Sequence, residues 1–185
     1  MWAVVGLGNP GRRYAGTRHN AGFLLVQRAA EAWDVRLKKT RFLAKTGEGR
    51  RGGERVLLAL PQTFMNDSGQ SAKAIVAGQP VAPENLIVAY DDVDLPLGGL
   101  RVRRDGGPGT HKGMASVVAC LGTTAFPRIR LGIGPSPEEA DIVRFVLTPF
   151  RKDERKALDE ALDRAVEALD MIVAGRIDRA MNDFN

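Results

Sequence analysis

The sequence predicts an α/β fold, a single-domain layered structure with a mixed β-sheet and helices on both faces. Three observations carry this. Short apolar runs at residues 2–5 and 86–90 read as buried strands, each closed by turn or acidic residues. Helical apolar spacing alternates with such runs along the chain. Residues 41–48 and 55–60 are strand-like around a glycine-rich stretch at 49–53, which predicts one antiparallel hairpin.

In chain order, residues 2–8 form a first strand, ended by Gly8-Asn9-Pro10-Gly11. A helix follows from Asn20, its expected N-cap, with Phe23, Leu24, Val26, Ala29, Ala30 and Trp33 on one face. After the hairpin, Asn66 or Asp67 caps a second helix bearing Ala72, Ile75 and Val76, which Gly78 and Pro80 stop. The strand at 86–90 runs into Asp91-Asp92-Val93-Asp94, and residues 97–104 make an arginine-rich strand. A glycine-rich loop at 105–111 opens a helix with Met114, Val117, Val118 and Leu121 apolar. Residues 128–133 alternate as a half-exposed strand does, and 141–147 are irregular or a short element. The longest helix spans about 152–174, supported by a Glu160/Arg164 pair and stopped by Gly175, with a short helix after it.

A chain of 185 residues, 44% hydrophobic and 26% charged, is long enough for one domain over 1–185 with a sizeable core. The formal charge of +5 suits an acidic partner. Cys120 is the single cysteine, so no internal disulfide forms, which fits a reducing compartment. No secretory leader pattern and no apolar run approaching ~18 residues is present, which predicts a soluble intracellular protein without a membrane span.

Ligands in such folds sit outside the carboxyl ends of strands, here the Gly8-Asn9 turn and the Tyr90-Asp91 strand end. His19 lies just past the first of these, at a helix start that keeps an imidazole neutral, as a general base requires. Asp91 is the candidate to orient it, with Asp92 and Asp94 as rivals. Asn9 can donate to an oxyanion or grip a substrate amide. Tyr14 and Phe64 are loop aromatics able to stack on a base, and Asn66 is a helix cap or a ligand group. Arg101, Arg103, Arg104, Arg128 and Arg130 flank the glycine-rich loop and as a group can bind phosphate.

Other schemes fit less well. Gly6, Gly8 and Gly11 satisfy the dinucleotide pattern G-x-G-x-x-G, but the helix opens too late, near Asn20. There is no G-x-S-x-G elbow and no Walker-type loop, and Cys120 sits on an apolar helical stretch. Two histidines far apart in sequence and one cysteine predict no zinc site. Water activated by a His/Asp pair remains.

Gly6-Leu7-Gly8-Asn9-Pro10-Gly11, Thr17-Arg18-His19-Asn20-Ala21-Gly22, Thr63-Phe64-Met65-Asn66, Asp91-Asp92-Val93-Asp94-Leu95-Pro96, Gly109-Thr110-His111-Lys112-Gly113 and Arg130-Leu131-Gly132-Ile133-Gly134 occur in order. Together with Tyr14 this set resembles the bacterial-type peptidyl-tRNA hydrolases over nearly the whole chain. The resemblance implies a monomeric cytoplasmic enzyme that cleaves the ester between a peptide and the 3′ end of tRNA, with no metal and no cofactor. It implies that His19 is the general base, that Asp91 holds it, and that Asn9 contacts the peptidyl part and helps exclude free-amine aminoacyl-tRNA. Tyr14, Phe64 and Asn66 then bind the tRNA end or the peptide, Arg103 and Arg130 match positions associated with the tRNA 5′ phosphate, and His111 matches a loop histidine beside the site. The family commonly has Asn where this chain has Lys112, and an ammonium only donates where an amide also accepts. Two other classes compete: an RNA-binding protein of this fold without catalysis, and the dinucleotide-dependent enzyme.

Overall fold

The computed structural model describes residues 1–134 and 142–185. Its strands are β1 Trp2–Gly6, β2 Lys39–Arg41, β3 Ala44–Arg51, β4 Glu54–Pro61, β5 Leu86–Pro96, β6 Leu100–Arg103 and β7 Arg128–Gly134. They form one mixed sheet in the order β2-β3-β4-β1-β5-β7-β6. The four central strands are parallel, and β2–β3 and β6 add antiparallel edges. The helices are α1 Ala21–Ala32, α2 Ser68–Gly78, α3 Lys112–Leu121, α4 Ile142–Val146, α5 Arg155–Val173 and α6 Ile177–Phe184.

Crossover handedness explains the layering. The chain leaves β1 through α1 toward β4, then returns through α2 across β1 to β5. Right-handed connections in opposite directions put α1 and α2 on opposite faces. Accordingly Leu25, Val26 and Ala29 of α1 share a core with Leu158, Leu162 and Leu169 of α5 and Phe184 of α6. Ala72 and Ile75 of α2 pack with Met114 and Val117 of α3 on the other face. The connections diverge between β1 and β5, and a crevice opens there at the carboxyl ends of the strands.

The glycines at the end of β1 serve helix packing. A Cβ on Gly6 would lie 2.2 Å from the Gly22 carbonyl oxygen, and one on Gly8 would strike the Phe23 ring. These residues let α1 close onto the strand, so they have a structural cause that needs no dinucleotide.

Several boundaries differ from the sequence reading. The hairpin loop shrinks from 49–53 to Gly52-Gly53, whose φ values of 56° and 87° reverse the chain in two residues, so β3 runs on to Arg51. The strand at 86–90 extends through the acidic cluster to Pro96, because Asp91 and Asp92 pair with Leu131 and Gly132 of β7. The strand at 97–104 shortens to β6 because the turn residue Gly98 takes φ 85°. β7 is not half-exposed: most of it is buried, Arg128 included. The Glu160/Arg164 pair does not form; Glu160 meets Lys156 at 4.0 Å, and Arg164 reaches the Gly98 carbonyl at 3.4 Å. The end of the longest helix is as expected, with Gly175 at φ 74° after α5. Of the short element expected at 141–147, residue 141 lies outside the described residues, and α4 covers Ile142–Val146.

Candidate active site

His19 sits in a 3-10 turn, Arg18–Asn20, between β1 and α1. Its Nδ1 lies 2.9 and 3.0 Å from the two oxygens of Asp91, on β5. Asp91 is 2% exposed. An ionised carboxylate only accepts, so Nδ1 carries the proton and the Nε2 lone pair is free. Strand alternation settles the choice among the acids. Asp92 turns the other way, accepting from Arg130 Nε at 2.5 Å and from the Asp94 backbone N–H at 3.0 Å.

The second histidine joins the same carboxylate. His111 Nε2 is 2.9 Å from Asp91 Oδ1. Its Nδ1 accepts the Met114 backbone N–H at 3.2 Å, capping α3, so the ring proton sits on Nε2 and is donated to Asp91. The two rings stand 5.0 Å apart, and the Tyr90 ring also lies 5.0 Å from that of His111. Burial alone would push the Asp91 carboxyl up. The imidazoles, His111 foremost, outweigh it and hold the carboxyl well below the usual carboxylate range. Folding therefore favours the ionised form. This contribution to stability is present above about pH 4, the unfolded carboxyl range, and is lost as pH falls toward the folded value.

The two histidines, far apart in sequence, are adjacent in the fold, and with Asp91 their ligand atoms lie within 4.8 Å of one another. The facing nitrogens meet Asp91 as hydrogen-bond partners, and His111 Nδ1 meets the Met114 N–H.

Asn9 is set by two contacts. Its Oδ1 accepts the Met65 N–H at 2.9 Å, and its backbone N–H and C=O are clipped by the Asn20 side chain at 2.9 and 3.0 Å. Asn20 therefore does not cap α1 with its side chain, as the sequence suggested. With its oxygen engaged, Asn9 keeps its Nδ2 donors for the cleft it lines; among the described residues no acceptor meets them.

The cleft measures about 750 Å³ and brings together Asn9, His19, Phe64, Asn66, Asp91, Arg103, His111, Lys112 and Arg130. Phe64 and Val143 are 58% and 61% exposed and, with Leu147, form apolar walls. Lys112, the first residue of α3, is exposed and has no ion pair among the described residues. Tyr14 is not brought in: it lies in the 3-10 turn Arg12–Tyr14 with the Arg13 guanidinium over its ring.

Two arginines prove structural. The sequence places Arg128 among the phosphate-binding candidates, but it is 1% exposed and its guanidinium holds the carbonyls of Gly106, Gly107 and Thr124, fixing the glycine-rich loop. Arg18 is buried beside His19. It bonds Thr148 Oγ1 at 2.7 Å, the Pro149 carbonyl at 2.8 Å and both Glu154 oxygens at 2.7 and 2.8 Å, and lies over the Phe145 ring. The sequence reading missed Arg18 and the walls on α4. Only the place of Arg18 beside His19 hinted at its role.

An imidazole backed by a buried carboxylate, beside a fixed amide donor and with no hydroxyl or thiol partner on Nε2 among the described residues, is a group that can take a proton from water. Fold and site together define a hydrolase of α/β architecture. The peptidyl-tRNA hydrolase family model matches residues 3–185. The peptidyl-tRNA hydrolase of Alkaliphilus metalliredigens (strain QYMF) is 48% identical over 185 residues, covering 100% of both chains. That of Chloroflexus aurantiacus (strain ATCC 29366 / DSM 635 / J-10-fl) is 47% identical over 186 residues, covering 100% of this chain and 99% of its own. The crystal structure of peptidyl-tRNA hydrolase from Acinetobacter baumannii superposes with a TM-score of 0.94 at 36% identity, over 100% of this chain and 94% of that one. The chain belongs to the peptidyl-tRNA hydrolase family, a family of enzymes.

Proposed function

We propose that this chain hydrolyses the ester joining a peptide to the 3′ end of tRNA, acting as a cytoplasmic monomer without metal or cofactor. The observation that carries the reading is the His19–Asp91 pair at the floor of a cleft wide enough for a nucleotide and an acyl group. Among the described residues no helix is long and apolar enough to cross a membrane.

In this reading a water held by His19 Nε2 attacks the ester carbonyl. As the C–O bond forms, its proton passes to Nε2, and Asp91 stabilises the imidazolium through Nδ1–H. Collapse of the tetrahedral intermediate breaks the bond to the tRNA 3′ oxygen, which takes the proton back from Nε2. Asn9 Nδ2 donates to the carbonyl oxygen or to the peptide beside it. A free ammonium meets only donors at that point, which disfavours aminoacyl-tRNA. Phe64 offers a stacking face, and Asn66 and Lys112 offer polar contacts to the tRNA end or peptide. The role first given to Tyr14 would require it to act from outside the cleft. The test is incubation with N-blocked and with free-amine aminoacyl-tRNA: tRNA is released from the first and spared in the second. No release from the blocked ester would overturn the reading.

Arg103 and Arg130 are proposed to hold tRNA phosphate, and the structure makes them unequal. Asp92 already neutralises part of Arg130, whereas Arg103 has no ion pair among the described residues. Arg103→Ala should flatten the log–log salt dependence of tRNA binding by up to about one unit, and Arg130→Ala by less. Equal slopes in both variants and the parent would assign both arginines to ordinary surface charge.

A further inference from the structure

We propose that His111 is a positioning residue that acts through Asp91. Its hydrogen bond weakens the carboxylate's hold on the His19 proton and so keeps His19 a free base at lower pH. The inference rests on the reading above for the role of His19.

Asp91 receives two ring N–H groups, at 2.9 Å from His111 and 2.9 Å from His19. Each donor draws on the same negative charge, so a second one leaves less for an imidazolium at His19. The arrangement works only while His111 keeps its proton on Nε2. The Met114 N–H ensures this by occupying Nδ1, and a doubly protonated His111 would set two donors against each other there. His111 also packs against the rings of His19 and Tyr90. The hydrogen bond from His111 is among the contacts that hold the Asp91 carboxyl low, in keeping with this geometry.

Other charged groups share the surroundings. Asp92 and Arg130 satisfy each other, Arg18 is bound to Glu154, and Arg128 holds the loop carbonyls. Asp94 of β5, Arg103 of β6, Asp105 of the loop and Lys112 of α3 also line the cleft. All of them persist in the variants below, so a difference between variants isolates position 111.

The chain has two histidines, so in any His111 variant of the untagged protein His19 is the sole imidazole and its ring resonances can be followed against pH. His111→Leu removes both the donor and the cap. His111→Asn keeps an acceptor for the Met114 N–H but is too short to reach Asp91. His111→Gln returns an amide donor near the former Nε2. The pH midpoint of His19 should rise by about one unit in the Leu and Asn variants and stay within ~0.3 unit of the parent in Gln. If the Leu variant does not fold, the Asn variant, which keeps the cap, carries the comparison. An unchanged midpoint in Asn, or a Gln variant shifted as far as Asn, would reduce His111 to a helix cap and overturn the proposal. The acidic limb of kcat/KM on N-blocked aminoacyl-tRNA should move with the midpoint. A parent protein that released no tRNA would sink the hydrolase reading alone, because the imidazole titration still decides the role of His111.

Discussion

His19→Ala should lower kcat by at least ~10²-fold on N-blocked aminoacyl-tRNA, the scale of a lost general base. KM should change little, since the surfaces offered to the tRNA end, from Phe64 to Arg103, are untouched. The fold should survive. His19 lies in a short turn, and the neighbouring Arg18 and Asn20 make the contacts that fix that turn. Steady-state kinetics beside a thermal melt checks both halves. Near-normal turnover in a folded variant would remove His19 from the mechanism.

Asp91→Asn should cost as much, ~10²–10⁴-fold in kcat, for a reason particular to this site. Two ring N–H groups converge on Asp91. An amide offers one acceptor and one donor in place of two acceptors, so one histidine must face a donor. His111 is held to its tautomer by Met114, so the conflict falls on His19, whose proton shifts to Nε2 and leaves no base toward the cleft. Whatever base remains also has no anion to stabilise its imidazolium. Substrate binding should be nearly unaffected. Unchanged kcat with a raised KM would instead make Asp91 a binding residue.

How far the sequence discloses this site depends on the range of the interaction. The layering of α1, α2, α3 and α5 was legible because their apolar spacing is local. His19 was legible as a candidate because a turn, a histidine and a helix start are neighbours in the chain. Among Asp91, Asp92 and Asp94 the partner was open, because the choice depends on which face each residue takes in a strand longer than its apolar run suggested. The resemblance set His111 beside the site, but nothing in the spacing of His111 and His19 shows that β5 and α3 place both on one carboxylate. Arg128 reads as a surface charge in any one-dimensional pattern. Only the folded loop, with its carbonyls turned inward, makes burial of a guanidinium tolerable. Asn20 reads as a cap because a clip on the backbone of Asn9 has the same residue type and nearly the same address as a helix start.

The Arg18 contacts bear on when a newly made copy acquires its chemistry. Arg18 is bound to Thr148 and Glu154, residues that follow it by 130 and 136 positions. During synthesis the histidine turn leaves the ribosome on the order of ten seconds before Glu154 is added. Through that interval a guanidinium destined for burial has no counter-ion, and the turn it anchors cannot settle against β1. Closing so long a loop belongs to the late stage of folding. The nascent chain thus carries its base from the outset but has no fixed place for it until α5 begins to dock, which makes water activation one of the last properties the molecule gains.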